Sequence, residues 1–175
     1  GAIWDSRRRR NPRRVAASAS GAGMAFAPQG HMQGNAGGDP FVFADELGPA
    51  KIVYVYEPGL GLRGTLVVDN VACGPSIGGL RMAPDVSTEE CFRLARAMTL
   101  KNAAAGLPHG GGKSVLVGDP HGPREHKERL IRAFASALRG VTDYIFGPDM
   151  GTDETCMALV HDEIGRAVGL PRELG

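Results

Sequence analysis

The hydrophobic positions follow a two-residue period in the first structured part of the chain. Residues 51–56 alternate β-branched and aromatic side chains with other residues, which is typical of a half-buried strand. A turn at 58–61, rich in glycine and proline, separates them from a second apolar run at 64–71. This spacing predicts a β-hairpin.

A helical period begins near residue 87. Ser87 and Glu90 have the spacing of a capping box, which predicts a helix from there to about residue 106. The same period over 124–138 predicts a second helix, and Thr152 is the predicted N-cap of a third that ends near residue 168. Between them we predict loops at 74–82 and 107–112 and strands at 113–117 and 143–146. This alternation indicates an α/β fold with a mixed sheet flanked by helices.

One lysine of the first helix falls among apolar positions. Leu94, Met98, Lys101 and Ala105 follow each other at helical spacing, so Lys101 is predicted to point where a core residue would point. The alternative is a lysine whose stem lies along the helix end while its ammonium reaches water. Spacing alone does not separate these interpretations.

Three consecutive glycines, residues 110–112, precede Lys113 at the start of the predicted strand 113–117. We expect no packing role for these glycines; they instead allow the backbone and a small ligand to approach closely. Burial disfavours an ammonium ion and lowers the pKa of a fully buried lysine by up to roughly 3–5 units. Lys113 is therefore a candidate general base.

Asp149 lies in a predicted strand-to-helix turn at 147–151. One interpretation is an acidic residue that interacts favourably with a helix dipole. The other is functional, because ligands of open α/β sheets bind at the carboxyl ends of strands. A lysine base and a carboxylate at that place would form an acid/base pair with separate roles.

Two familiar nucleotide motifs are rejected on context. Gly59, Gly61 and Gly64 match a dinucleotide fingerprint, but a strand follows them, whereas the fingerprint must open a helix. The Gly-Lys-Ser at 112–114 lacks the earlier glycine of a phosphate-binding loop, since Leu107 stands there, and a strand follows it. The five histidines show no metal-ligand spacing, so no metal is predicted.

Composition changes the picture at the N-terminus. Residues 1–40 are rich in Gly, Ala, Ser, Pro and Arg without periodicity, and we predict a disordered tail. The interpretations of its Arg run are a transit peptide, a nucleic-acid arm and, favoured here, non-native sequence before Met24. Six of the 20 basic and one of the 19 acidic residues precede Met24, which leaves 14 basic and 18 acidic residues, a net charge of −4. This acidic body argues against a nucleic-acid partner. Three widely spaced cysteines and the lack of a long apolar run predict a cytoplasmic protein without a membrane partner.

Four motifs resemble the N-terminal domain of the Glu/Leu/Phe/Val amino-acid dehydrogenases. They are the glycine loop at 74–81, the Met-Thr-Leu-Lys-Asn-Ala at 98–103, the Gly-Gly-Gly-Lys at 110–113 and the Pro-Asp-Met-Gly-Thr at 148–152. They occur in the family's order and spacing, and the resemblance covers roughly residues 50–175. Residues 41–175 are thus interpreted as a substrate-binding and oligomerisation domain.

The resemblance implies the NAD- or NADP-dependent oxidative deamination of an L-amino acid to a 2-oxo acid and ammonia. It implies that Lys113 activates the attacking water, that Asp149 exchanges protons with the amino group and that Lys101 binds the substrate carboxylate. It further implies a substrate site lined by Gly78, Gly79 and Met98.

Two departures from the family pattern affect this interpretation. Ile77 stands where glutamate dehydrogenases usually have a lysine, and an isoleucine cannot satisfy a buried carboxylate, so leucine, valine or phenylalanine is the expected substrate type. The family's nucleotide-binding domain does not follow before residue 175, so we expect this chain alone to be inactive. The alternatives are a glutamate dehydrogenase and a non-catalytic oligomerisation module. A homo-oligomer is expected, because the hairpin offers strand edges.

Overall fold

The computed structural model describes residues 39–174, and the predictions about residues 1–38 lie outside this range. A short 3-10 helix, Pro40–Phe43, is capped by Asp39, so this helix overlaps the end of the tail predicted over residues 1–40. In chain order the elements are β1 (Lys51–Glu57), β2 (Leu62–Val68), β3 (Ser76–Ala83), α1 (Thr88–Ala104), β4 (Gly110–Val117), α2 (Arg124–Ala137), β5 (Tyr144–Pro148) and α3 (Glu154–Ile164).

The strands form one mixed sheet in the order β1-β2-β4-β3-β5. β1 and β2 form the predicted antiparallel hairpin, with Tyr54 opposite Thr65, and β2 also pairs antiparallel with β4. β3 lies parallel to both β4 and β5. The predicted α/β class with a mixed sheet is therefore confirmed.

Helices cover both faces of the sheet, and alternate residues of each strand point to opposite faces. α2 and α3 pack on what we call the helix-pair face, whose core contains Leu66, Leu116, Phe134, Phe146 and Met157. α1 packs on the other, single-helix face, whose smaller core contains Val67, Cys91, Phe92, Ala95 and Val115.

The predicted loop at 74–82 is wrong, because a strand, β3, begins at Ser76. Glycine has a low strand propensity, which hid this element from a pattern-based prediction. A Cβ atom on Gly78 would lie 1.8 Å from the carbonyl oxygen of Gly112 on β4. The glycines of β3 thus let two backbones approach closely at the centre of the sheet.

The glycines at 110–112 also belong to a strand, since β4 begins at Gly110 rather than at Lys113. The expectation that they have no packing role is wrong. A Cβ on Gly111 would lie 2.0 Å from the amide nitrogen of Thr99 on α1, and one on Gly112 would lie 2.9 Å from the ring of Tyr144. Their missing side chains allow α1 and the Tyr144 ring to pack directly against β4.

The helix ends match the predictions in part. The Ser87 hydroxyl accepts a hydrogen bond from the Glu90 amide, as expected, but the Glu90 carboxylate binds Arg81 and does not complete the capping box. α3 is capped by Asp153 rather than Thr152, and it ends at Ile164, earlier than predicted, with Gly165 in a left-handed conformation at φ 69°.

Candidate active site

Lys113 and Asp149 meet on the single-helix face of the sheet. Lys113 lies inside β4 and is 5% exposed, and its Nζ is 2.5 Å from Oδ2 of Asp149. Asp149 directly follows β5. β4 and β5 flank β3 on its two sides, so the two side chains reach across β3 to form the ion pair. Asp149 therefore lies at the carboxyl end of its strand, as expected, whereas Lys113 lies in a strand interior.

Gly79 provides the space in which this pair forms. A Cβ on Gly79 would lie 2.7 Å from Cβ of Asp149 and 3.2 Å from Nζ of Lys113. Gly78, its neighbour, has a different place, because its carbonyl oxygen accepts a hydrogen bond of 2.9 Å from the buried Tyr144 hydroxyl. Of the two predicted glycines, Gly79 directly borders the ion pair, whereas Gly78 links β3 to Tyr144 of β5 through its carbonyl oxygen.

The surroundings of Asp149 favour its charged form. Partial burial by itself would raise the pKa of this carboxyl, but hydrogen bonds from Lys113, from the Met150 amide and from Arg81 outweigh burial and lower the pKa below its ordinary value.

Sequence reasoning did not assign a role to Arg81. Its Nε donates to Oδ2 of Asp149 at 3.0 Å, and its Nη1 donates to Oε1 of Glu90 on α1 at 2.6 Å. Arg81 lies two residues after Gly79, so a two-residue strand period would have placed both on one face. That signal was lost because the segment was predicted as a loop.

The turn that carries Asp149 is held from both sides. The Thr152 hydroxyl accepts from the Asp149 amide at 3.0 Å and donates to the Leu80 carbonyl at 2.7 Å. Gly151 has φ +80°, and a Cβ there would lie 2.0 Å from the Met82 carbonyl oxygen. Thr152 thus holds the backbone of the turn from which the Asp149 side chain projects.

The predicted orientation of Lys101 is wrong. The buried residues of α1 are Cys91, Phe92, Ala95 and Asn102, whereas Lys101 is exposed and Met98 is half-buried. Asn102 turns inward instead, and its Nδ2 donates to the Gly110 carbonyl at 2.7 Å. This bond places the last turn of α1, with Lys101 on it, beside the start of β4. No hydrogen bond or ion pair between residues 39 and 174 involves the Lys101 ammonium group, so its role stays a prediction.

Two surface grooves lie away from the ion pair. One of about 370 Å³ is bordered by Tyr54, Tyr56 and Thr88, and another of about 410 Å³ is bordered by Arg124 and Asp153. Neither includes Lys113 or Asp149.

The glycines that match a dinucleotide fingerprint are not placed to bind a dinucleotide. Gly61 and Gly64 lie in or beside the β1–β2 hairpin and do not open a helix, as the rejection of that motif required. Among residues 39–174 no group of three or more His, Cys, Asp or Glu side chains could hold a metal ion. Over the same range, no helix has the length and apolar character needed to cross a bilayer.

Fold and geometry together define an α/β domain with a lysine–carboxylate pair on one face of a mixed sheet. The family model for the Glu/Leu/Phe/Val dehydrogenase dimerisation domain matches residues 56–166. The chain belongs to this family.

Relatives by sequence include two bacterial amino-acid dehydrogenases. Leucine dehydrogenase of Bacillus subtilis (strain 168) is 34% identical over 140 residues, which cover 77% of this chain and 38% of that protein. Phenylalanine dehydrogenase of Caldalkalibacillus thermarum is 35% identical over 130 residues, which cover 71% of this chain and 35% of that protein. The chain thus spans little more than a third of these relatives.

A solved structure with the same fold is the hetero-hexameric glutamate dehydrogenase from Thermus thermophilus in a leucine-bound form. Its TM-score is 0.67 at 32% sequence identity, and the match covers 73% of this chain and 35% of that chain. Glutamate dehydrogenase from Peptoniphilus asaccharolyticus matches with a TM-score of 0.63 at 29% identity, over 70% of this chain and 36% of that one.

Proposed function

We propose that this chain is the substrate-binding and oligomerisation part of an NAD- or NADP-dependent L-amino-acid dehydrogenase, which converts an apolar L-amino acid reversibly to a 2-oxo acid and ammonia. The observation that carries the proposal is the ion pair of Lys113 and Asp149 across Gly79. The leucine and phenylalanine dehydrogenases among the relatives support the reaction type. The cofactor would be bound mainly by a further domain of the full-length protein.

Lys113 and Asp149 have separate tasks in this proposal. Lys113 takes a proton from the water that attacks the imine carbon of the oxidised substrate, and Asp149 exchanges a proton with the amino group. Lys101, on the exposed last turn of α1, binds the substrate carboxylate. Gly79 leaves room for the substrate beside the pair, and Gly78 and Met98 complete the lining.

Ile77 supports an apolar substrate over glutamate. It is half-buried on β3, and the strand period places it on the same face as Gly79. A glutamate side chain beside it would lack a cationic partner, which is costly for a partly buried carboxylate. The test is Ile77→Lys in the full-length protein. We expect the ratio of kcat/KM for leucine to that for glutamate to fall, and an unchanged ratio would argue against this assignment.

A homo-oligomer built through this domain is part of the proposal. β1 is an edge strand of the sheet, and Tyr54 and Tyr56 on it are 57% and 69% exposed. An exposed edge with large aromatic side chains is suited to pairing with a second copy. We also propose a cytoplasmic protein, since its three cysteines are free in the structure.

A non-catalytic oligomerisation module is the second candidate, favoured only by the exposed edge of β1. The buried ion pair argues against it, because replacing such a pair by apolar side chains is often neutral or stabilising. A module without chemistry would therefore have no use for Lys113 at a 5% exposed position.

Removal of the lysine amine from the full-length protein tests the catalytic proposal. Lys113→Ala is expected to lower kcat by roughly 10²–10⁴, the usual contribution of a general base. The matched control is Lys127→Ala, since Lys127 lies on α2, on the opposite face, and donates to the Pro120 carbonyl. Steady-state deamination of leucine, valine and phenylalanine provides the readout. Near-normal kcat in Lys113→Ala would make Lys113 a structural residue.

A further inference from the structure

Arg81 connects the candidate site to the first turn of α1. Its guanidinium donates from Nε to Asp149 and from Nη1 to Glu90, and its side chain is 17% exposed. Glu90 is itself placed by the helix start, because its amide donates to the Ser87 hydroxyl at 3.1 Å. The guanidinium is thus fixed at two points that belong to different elements.

Oδ2 of Asp149 is shared by two cations, Lys113 at 2.5 Å and Arg81 at 3.0 Å. Glu90 supplies the second negative charge, so the four side chains form a cluster without net charge. The planar guanidinium, with several donors in a fixed fork, is well suited to hold two carboxylates at once. An arginine also keeps its proton throughout the pH range of enzymes, unlike a buried lysine.

This difference between the two cations matters if Lys113 changes its protonation during the reaction. When Lys113 turns to a water molecule or becomes neutral, its attraction for Asp149 weakens. Arg81 then remains as the permanent partner of the carboxylate. Glu90 competes for the same guanidinium, so its charge limits how strongly Arg81 binds Asp149.

We propose that Arg81 is a positioning residue that holds the Asp149 carboxylate in place beside Lys113, and that Glu90 sets the strength of this hold. The inference concerns residues on β3 and α1 that the proposed function does not use. It rests on that function only for the assumption that Asp149 exchanges a proton.

The test is a titration of the Asp149 side-chain carboxyl by carbon-detected NMR in the 175-residue chain. The groups that face it are Lys113 from β4, Arg81 from β3 and, behind Arg81, Glu90 from α1. Arg81→Gln removes a cation within hydrogen-bond distance and is expected to raise the carboxyl pKa by about one unit. Glu90→Gln frees Arg81 for Asp149 and is expected to lower the pKa further.

Opposite signs are the informative result, because general loosening of the structure would move both variants in the same direction. The matched control is the neighbouring pair of Arg93 and Glu89, which lies exposed on α1 and does not contact Asp149. Arg93→Gln and Glu89→Gln should leave the Asp149 titration unchanged. Shifts of equal sign in Arg81→Gln and Glu90→Gln, or no difference from the controls, would overturn the inference.

Arg81→Lys gives a second measurement if Arg81→Gln does not fold. A lysine keeps the charge but cannot contact both carboxylates, so the Asp149 pKa should rise by less than in Arg81→Gln, and Glu90→Gln should no longer affect it. A titration in Arg81→Lys equal to that of the parent chain would exclude a role for the two-point contact.

Kinetics separate this inference from the proposed function. In the full-length protein, Arg81→Gln should move the acidic limb of kcat/KM to higher pH, because Asp149 must be ionised to accept a proton and its pKa has risen. If the NMR shifts occur as expected but Asp149→Asn retains kcat, the proposed function fails while the positioning of Asp149 by Arg81 stands.

Discussion

The two faces of the sheet are built from the same strands and differ in what they bury. The helix-pair face is apolar along its centre, with Leu66 and Leu116 fully buried beneath Phe134. The single-helix face buries charged groups at the equivalent level, namely Asp69 at 2% and Lys113 at 5% exposure. Successive residues of one strand thus serve opposite purposes, stability on one side and polar chemistry on the other.

The difference shows where charge can be buried in this domain. Every buried charge on the single-helix face has a partner on another element. Asp69 accepts from Arg96 at 2.9 Å and from Thr99 at 2.6 Å, both on α1, and Lys113 pairs with Asp149. A buried charge without such a partner would cost several kcal/mol. One helix leaves part of this face open, which is where the Lys113–Asp149 pair lies.

The largest expected effect is on the helix-pair face. Phe134→Ala removes a fully buried ring that packs edge-to-face on Phe146 and closes over Gly64. We expect the free energy of unfolding to fall by about 3–5 kcal/mol, the usual cost of such a cavity. Phe41→Ala, at a 70% exposed position, should change it by less than about 0.5 kcal/mol. Urea denaturation of both variants measures the difference, and equal losses would contradict the assignment of the core.

Asp149→Asn is expected to have the next largest effect on stability. It leaves the buried Lys113 ammonium without a carboxylate, and we expect a loss of about 1.5–3 kcal/mol, as for a hydrogen bond to a charged group. Lys113→Met should cost less, because a similar volume is kept and Asp149 retains Arg81. We therefore predict that urea denaturation shows a larger loss in the free energy of unfolding for Asp149→Asn than for Lys113→Met. A larger loss in Lys113→Met would show that Arg81 does not stabilise Asp149.

Gly111→Ala tests the contact between α1 and β4. Its Cβ would lie 2.0 Å from a backbone nitrogen of α1, so the helix must move, at a cost of about 1–3 kcal/mol. Gly140→Ala is the control, since nothing lies within 4 Å of a Cβ there. Thermal unfolding should separate the two variants clearly. Equal stability would mean that α1 does not pack against β4 at Gly111.

The smallest expected effect is local and depends on pH. Asp45 accepts from Arg96 through both carboxylate oxygens, at 2.7 Å each, and this hydrogen bonding lowers the Asp45 pKa from 3.8 to about 2. A lowered pKa stabilises the contact above pH 3.8 and loses this contribution as pH falls through about 2. We therefore expect the protection of the amides at residues 41–47 against hydrogen exchange to fall as the pH is lowered from 3.8 to about 2. In Asp45→Asn, exchange should be faster than in the parent chain above pH 3.8 and should lack this dependence.

Local sequence was sufficient for much of the fold. The hairpin, the start of α1 at Ser87 and the position of α2 depend on short-range periodicity and capping, which are visible in a few neighbouring residues. Lys113 and Asp149 were also recognisable as candidates, from a glycine run and a turn.

Other features depended on contacts between distant residues. β3 is a strand because it pairs with β4 and β5, although its glycines have little strand propensity of their own. The face of α1 that turns inward is decided by the glycines of β4, which admit Thr99 and Asn102 and leave Lys101 outside. A helical period alone left both orientations of Lys101 open.

The sequence by itself determined which residues could carry the chemistry and which stretches form the hairpin and the helices. Only the tertiary structure decided that Lys113, Asp149, Arg81 and Glu90 form one cluster, because they come from β4, the end of β5, β3 and α1. The physical reason is that strand order and helix docking follow from the burial of apolar surface over the whole domain. Periodicity, in contrast, records only which side of its own element a residue occupies.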